Sequence, residues 1–291
     1  RATPDNPDSR VLGRWRVVTL VGLPATTGMN LRATLLPCGF ALPALLAACE
    51  GPPGGAAPAR GTEVHSAETA GLLADAPLRE KLPTPAEVEA VPVSGDAPAY
   101  VVRGRSGRPP AIVFLPGVCS NASAYLHTFP EAAAAHGGVV AIDGDEPCPG
   151  VPGFHTFSWD TQKQHRRLEA ALAAAGARTP REGGVTLVGY SQGATIGEKL
   201  VYAYPERYSR VMLIAAPVDP SVAALRSARA AVTCACSLDV TQRMRSAALR
   251  LSAGGVPSTY LEMPGCTHGN VAKGEETFGA AFAWLDEHAR Q

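Results

Sequence analysis

The chain has no surplus of charge of either sign: 26 basic side chains are matched by 26 acidic ones over 291 residues. Without a basic excess or stripe, nucleic-acid binding is not suggested. Seven cysteines and seven histidines are present, but no histidine pair accompanies the cysteines at ligand intervals, so no zinc framework is expected and no metal is assigned. No internal repeat is visible. The main apolar stretch near the amino end, Ala33 to Ala48, is too short for a stop-transfer helix.

What is present is concentrated in Val185-Thr186-Leu187-Val188-Gly189-Tyr190-Ser191-Gln192-Gly193-Ala194. A short run of β-formers enters a Gly-x-Ser-x-Gly turn, and a helix-like pattern, Ala194 to Val201, leaves it. Small residues two before and two after the serine are needed where a strand and a helix meet at a sharp turn, because a Cβ there has no room. Such a turn lifts the hydroxyl above the sheet edge and aims the helix amides at a developing oxyanion. Ser191 is therefore the candidate nucleophile, against the plainer reading of an ordinary Gly/Ser turn.

On this strand, turn and helix the chain resembles the α/β-hydrolase superfamily. The resemblance covers about residues 89–291 and implies the chain order serine, acid, histidine. Two histidines follow Ser191: His288, in a terminal helical stretch, and His268, in a loop directly after the apolar run Thr259–Met263. His268 takes the role of general base. Asp239, shortly after the run Ala230–Ala235, is the expected acid, and Asp219, after the preceding strand, is the alternative. The five upstream histidines are read as exposed or locally bonded.

The resemblance also implies an oxyanion hole built from the amide of Gln192 and one from the loop after an earlier strand, where Val118 is the expected donor and Cys119 the alternative. Many relatives carry His-Gly where this chain has Pro116-Gly117, a change that leaves backbone donors intact. Tyr190, Phe154, Phe157 and Trp159 are pocket candidates, and packing of the 143–159 loop onto the domain is the competing reading. Asp143, Asp145 and Glu146 are expected to form a solvated turn. Gly-Tyr-Ser-Gln-Gly is also similar to the cutinase signature, but Asp239 and His268 lie far apart and lack that family's cysteine-bracketed acid loop.

The implied fold is α/β: a mostly parallel central sheet of about eight strands, helices on both faces, and no large cap. Strands are expected near 90–93, 99–103, 111–115, 138–142, 184–190, 210–215, 230–235 and 257–263, the first two as an antiparallel hairpin. Helices are expected near 121–136, 160–176, 192–205, 220–229, 241–253 and 274–290. Only about fifteen residues separate the strands at 210–215 and 230–235, too few for a mobile lid. In this fold Cys119 and Cys148 follow adjacent strands, as do Cys236 and Cys266. Both pairs are candidate disulfides, with Cys234 left as a buried thiol, against the alternative that all five are apolar core residues.

Met29-Asn30-Leu31-Arg32 and the apolar stretch after it have the form of a secretory signal ending in Leu46-Ala47-Ala48-Cys49, which resembles a bacterial lipobox. The expected organisation is an upstream segment 1–28, a signal peptide 29–48, a lipidated Cys49 with a Gly/Pro/Ala-rich tether through residue 88, and the hydrolase domain 89–291. Residues 1–49 hold five basic and two acidic side chains; without them 21 face 24, a net charge of −3. The expected product is an exported, membrane-anchored serine esterase that needs no cofactor and acts on a small-molecule or lipid ester. A thioesterase, lipase, cutinase or peptidase using the same groups, or a non-catalytic binding protein on the same fold, are the alternatives.

Overall fold

The computed structural model describes residues 84–177 and 182–289. The signal-like segment, Cys49 and nearly all of the tether lie outside the described residues. Two antiparallel strands come first, β1 (Val88–Val91) and β2 (Ala99–Arg103). β1 stops two residues short of the expected 93 because Pro92 has no N–H to give a ladder.

β3 (Ile112–Leu115) leads to α1 (Ala122–Leu126) and α2 (Pro130–Ala135), then to β4 (Gly138–Ala141). One helix was expected over 121–136. Pro130 divides it, since the residue before a proline is driven out of the α region and the ring suits only the first turn of a new helix. A small hairpin of β5 (Glu146–Pro147) and β6 (His155–Thr156) follows, then α3 (Thr161–Ala174). The remainder alternates regularly: β7 (Val185–Tyr190), α4 (Gln192–Ala203), β8 (Tyr208–Ile214), α5 (Val222–Leu225), β9 (Ala230–Cys236), α6 (Thr241–Ala253), β10 (Ser258–Met263) and α7 (Gly274–His288).

The main sheet has eight strands in the order β1-β2-β4-β3-β7-β8-β9-β10, parallel from β4 to β10. Its central strands are covered on both faces, so β3 and β7 are buried along their whole length, as their mainly apolar runs require. Side chains alternate between two cores. Val113, Leu115 and Leu187 pack with α3, α4 and α6 on one face; Phe114, Val188 and Tyr190 pack with α1, α2 and α7 on the other.

This alternation places the site. The chain leaves β3 toward one face and leaves the neighbouring β7 toward the other, which opens a crevice beyond the carboxyl ends of the two strands. Ser191 stands at that crevice. Between β8 and β9 the described residues form only the one-turn α5 and its flanking loops, with no cap domain.

Candidate active site

Ser191 joins β7 to α4 with φ 52° and ψ −113°, a left-handed conformation that non-glycine residues rarely hold. The two flanking glycines explain why the turn can form. A Cβ on Gly189 would strike the backbone of Gly193, and one on Gly193 would strike the carbonyls of Leu115 and Pro116. Backbone bonds fix the turn on both sides: Ser191 N–H donates to Ile214 (2.8 Å) and Gly193 N–H to Pro116 (3.1 Å).

The imidazole of His268 bridges two of the expected partners. Its Nε2 lies 2.9 Å from Ser191 Oγ and its Nδ1 lies 2.7 Å from Asp239 Oδ2. With Nδ1–H donated to the carboxylate, Nε2 is left as acceptor for the serine hydroxyl. Asp239 is nearly covered, with 9% of its side chain exposed, whereas the His268 side chain is 47% exposed. A shielded carboxylate facing an accessible imidazole is the arrangement in which a base is both oriented and reachable by substrate.

Asp219, the alternative acid, is exposed and pairs loosely with Arg243 (3.5 Å) and Arg250 (3.4 Å), away from the imidazole. His288 stacks on Trp284, four residues before it on α7. Among the upstream histidines, His127 bonds the Ser123 carbonyl, His136 faces Asp286 and His165 bonds the Tyr208 hydroxyl. His65 lies outside the described residues.

Two disulfides cross the carboxyl edge of the sheet, Cys119–Cys148 and Cys236–Cys266. The second ties the Asp239 loop to the His268 loop, assisted by Leu238 N–H on the Cys266 carbonyl (3.1 Å) and Ser237 N–H on Met263 (2.8 Å). Cys234 is a free, buried thiol, and burial pushes its pKa up to about 12, which keeps it protonated and unreactive.

Several pocket candidates take other positions. Tyr190 is fully buried, and its hydroxyl receives Gly269 N–H at 2.8 Å while its ring meets the His268 ring edge-on. It supports the histidine loop from below and lines no pocket. Burial raises its phenol well above the usual range, so it stays neutral. Phe157 is 1% exposed and belongs to the core. Phe154 and Trp159 are exposed, the latter with Lys199 over its ring at 4.9 Å.

The acidic trio also differs from a solvated turn, with only Glu146 exposed. Asp143 is buried and accepts Ala122 N–H (2.7 Å). Asp145 takes bonds from Ser158 N–H (2.8 Å), Ser158 Oγ (2.6 Å) and Gln164 Nε2 (2.7 Å), and pairs with Lys163 (2.6 Å). Burial alone would raise this carboxyl, but those donors outweigh it and hold the group well below the usual carboxylate range. Arg167 completes the cluster, reaching Asp96 and the Asp143 carbonyl. Among the described residues no group of three or more His, Cys, Asp and Glu is placed to hold a metal ion.

Where the oxyanion hole is expected, Gly117 passes beside Ser191: a Cβ placed on it would lie 3.4 Å from Ser191 Cβ. Val118 comes next, with its side chain exposed. The amides of Gln192 and Val118 donate to no backbone acceptor among the described residues.

The pattern of the alpha/beta hydrolase family matches residues 112–290, more than half of the chain. The chain belongs to the alpha/beta hydrolase family. Among solved structures, the hydrolase is similar to the "predicted CIB-like hydrolase" of Thermoplasma acidophilum, with a TM-score of 0.51 and 16% identity over 69% of this chain and 98% of that one. It is also similar to esterase PE8, with a TM-score of 0.50 and 19% identity over 69% of this chain and 99% of that one. At such identities the likeness is one of fold. No curated protein matches the hydrolase.

Proposed function

We propose that this hydrolase cleaves carboxylic esters through an acyl-enzyme formed on Ser191. The observation that carries the reading is the continuous bonded series Asp239, His268, Ser191 at 2.7 and 2.9 Å, ending on a serine held in a left-handed turn. His268 accepts the hydroxyl proton as Ser191 Oγ bonds to the acyl carbon. The carbonyl oxygen becomes an oxyanion facing the amides of Gln192 and Val118. Collapse expels the alcohol, which takes the proton from His268. Water, deprotonated by the same imidazole, then releases the acid and restores Ser191. Asp239 holds the imidazole in its working tautomer and stabilises its charged form.

Loop chemistry favours uncharged esters. Residues 116–121, 147–154 and 264–270 contain no Asp, Glu, Lys or Arg, and Val118, Val151 and Phe154 expose apolar side chains there. A fluorophosphonate probe should label Ser191, and Ser191→Ala should abolish both labelling and hydrolysis of a p-nitrophenyl ester series while the protein remains folded. Undiminished labelling of the alanine variant would sink the reading. A purely binding role gives no account of why a serine, a base and an acid should be joined in sequence.

Export and anchoring at Cys49 belong to the same reading. Support comes from the lipobox-like Leu46-Ala47-Ala48-Cys49 and from two disulfides, which persist in oxidising compartments. In a bacterial host a palmitate analogue should label the protein but not Cys49→Ser, which should leave the membrane fraction. Equal labelling of both proteins contradicts the anchor.

A further inference from the structure

The side chain of Gln192 is buried, with the residue 8% exposed, and all of its polar atoms are bonded. Its Oε1 accepts from Thr156 Oγ1 (2.9 Å) and from Phe157 N–H (3.0 Å), and its Nε2 donates to the Phe157 carbonyl (3.1 Å). The residue that follows the nucleophile is thus bonded three times to the end of the β5–β6 hairpin, 35 residues away in the chain.

The same hairpin holds the loop that carries Val118. Cys119 is cross-linked to Cys148. Ser120 N–H donates to the His155 carbonyl (3.2 Å), and Ser120 Oγ donates back to Gly117 (2.6 Å). The hairpin is in turn fixed to the domain. Gly144 lies so close to Thr156 that a Cβ would strike its backbone, and Asp145 is bonded to Ser158 and Gln164 just beyond. Gly193 N–H on the Pro116 carbonyl (3.1 Å) joins the two segments at their base, and the hairpin adds a second tie farther out, to the Gln192 side chain on one side and to Cys119 and Ser120 on the other.

We infer that the β5–β6 hairpin is a brace that sets the spacing of the two oxyanion amides, and that the Gln192 side chain and the Cys119–Cys148 bridge are its positioning groups. The physical reason is that oxyanion donors act through being fixed before charge develops, so a small error in their placement falls on the transition state and spares the ground state. The inference rests on the ester-hydrolase reading.

The test compares Gln192→Leu, Cys119→Ala/Cys148→Ala and Thr156→Val in the full chain with a soluble p-nitrophenyl ester. Gln192→Leu should lower kcat about 10-fold to 100-fold and the double alanine variant about 10-fold, with KM within about twofold. Affinity for an alkylboronic acid, which forms the tetrahedral adduct on Ser191, should fall in parallel with kcat. Thr156→Val should show a smaller loss of the same kind, and Thr156→Ser should restore it. Should Gln192→Leu fail to fold, the Thr156 pair gives the same readout. A lowered melting temperature with kcat and boronate affinity unchanged would overturn the brace while leaving the ester-hydrolase reading intact, whereas full activity of Ser191→Ala would remove that reading itself.

Discussion

The two sides of the Ser191 crevice use one device with different support. On each, a disulfide joins loops that follow adjacent parallel strands, and the closed segments are nearly equal, 29 and 30 residues in sequence separation. On the acid and histidine side the loops are short, and they are also joined by backbone bonds from Ser237 and Leu238 and by the Tyr190 hydroxyl below. On the oxyanion side the second loop is long and Pro/Gly-rich; it has backbone bonds too, Ser120 N–H on His155 and Cys148 N–H on Phe154, but it draws in addition on side chains: Asp145, Gln164, Arg167 and Gln192. Backbone bonds serve both sides, and the long loop, with more chain to order, also draws on buried polar groups brought from elsewhere.

The sharpest break of the comparison is at the acid. Asp239→Ala should lower kcat about 10³-fold to 10⁴-fold, since the imidazole loses its orienting partner, while Asp219→Ala should leave turnover within about twofold. Steady-state kinetics of the two variants decide which aspartate serves, and equal losses would remove Asp239 from its assigned role.

Removing the disulfides one at a time sharpens the difference. Because the loops are nearly equal in length, the chain-entropy contribution is nearly the same, about 3.6 kcal/mol for each. Cys236→Ala/Cys266→Ala should therefore lose as much stability in urea as Cys119→Ala/Cys148→Ala, but with kcat reduced only about threefold, its short loops still being held by the Ser237 and Leu238 backbone bonds and by the Tyr190 hydroxyl. A larger loss of kcat on the acid and histidine side would reverse the comparison.

Acidification probes the polar support of the long loop. Asp145 has its folded-state pKa depressed, so its contribution is complete above the ordinary carboxylate range and is lost as pH falls through the folded value. Asp145→Asn should melt below the parent at neutral pH, and the two melting curves should converge on the acid side. Parallel curves down to the lowest pH at which the fold survives would show that the carboxylate bonds are not what holds the loop.

The smallest effect is expected at Tyr190→Phe. Gly269 N–H loses its acceptor on the protein but stands where water can replace it, so the cost is about 1 kcal/mol and a few degrees in Tm. Turnover should fall about twofold through looser placement of His268. An unchanged kcat would show that the histidine loop does not depend on this bond.

Much of this was legible in local sequence. The glycines of the nucleophile turn and the mainly apolar strands depend on short segments, whereas the choice of Asp239 and His268 came from the chain order that the family resemblance implies. Tyr190 was misplaced although the period of two in β7 puts it on the same face as Val188, inside the core. Asp143 and Asp145 look solvated in a Gly/Pro-rich stretch because the groups that bury them, Gln164 and Arg167, are on α3 and could serve equally well on its exposed side. The side-chain bonds of Gln192 were invisible for the same reason: their partners are 35 residues away, and no local pattern marks them.

The alignment of β9 with β10 bears on how the protein matures. Cys234 and Cys236 lie on the same face of β9, two residues apart, and either is chemically able to pair with Cys266. In the finished sheet Cys234 stands opposite Leu261 and Cys236 opposite Met263, so Cys266, three residues past Met263, reaches only Cys236. Strand pairing thus selects between the two neighbouring thiols, and the native cross-link is the one that the register of the assembled sheet permits. The buried Cys234, protonated by its surroundings, then has too little thiolate to reshuffle the bond once made.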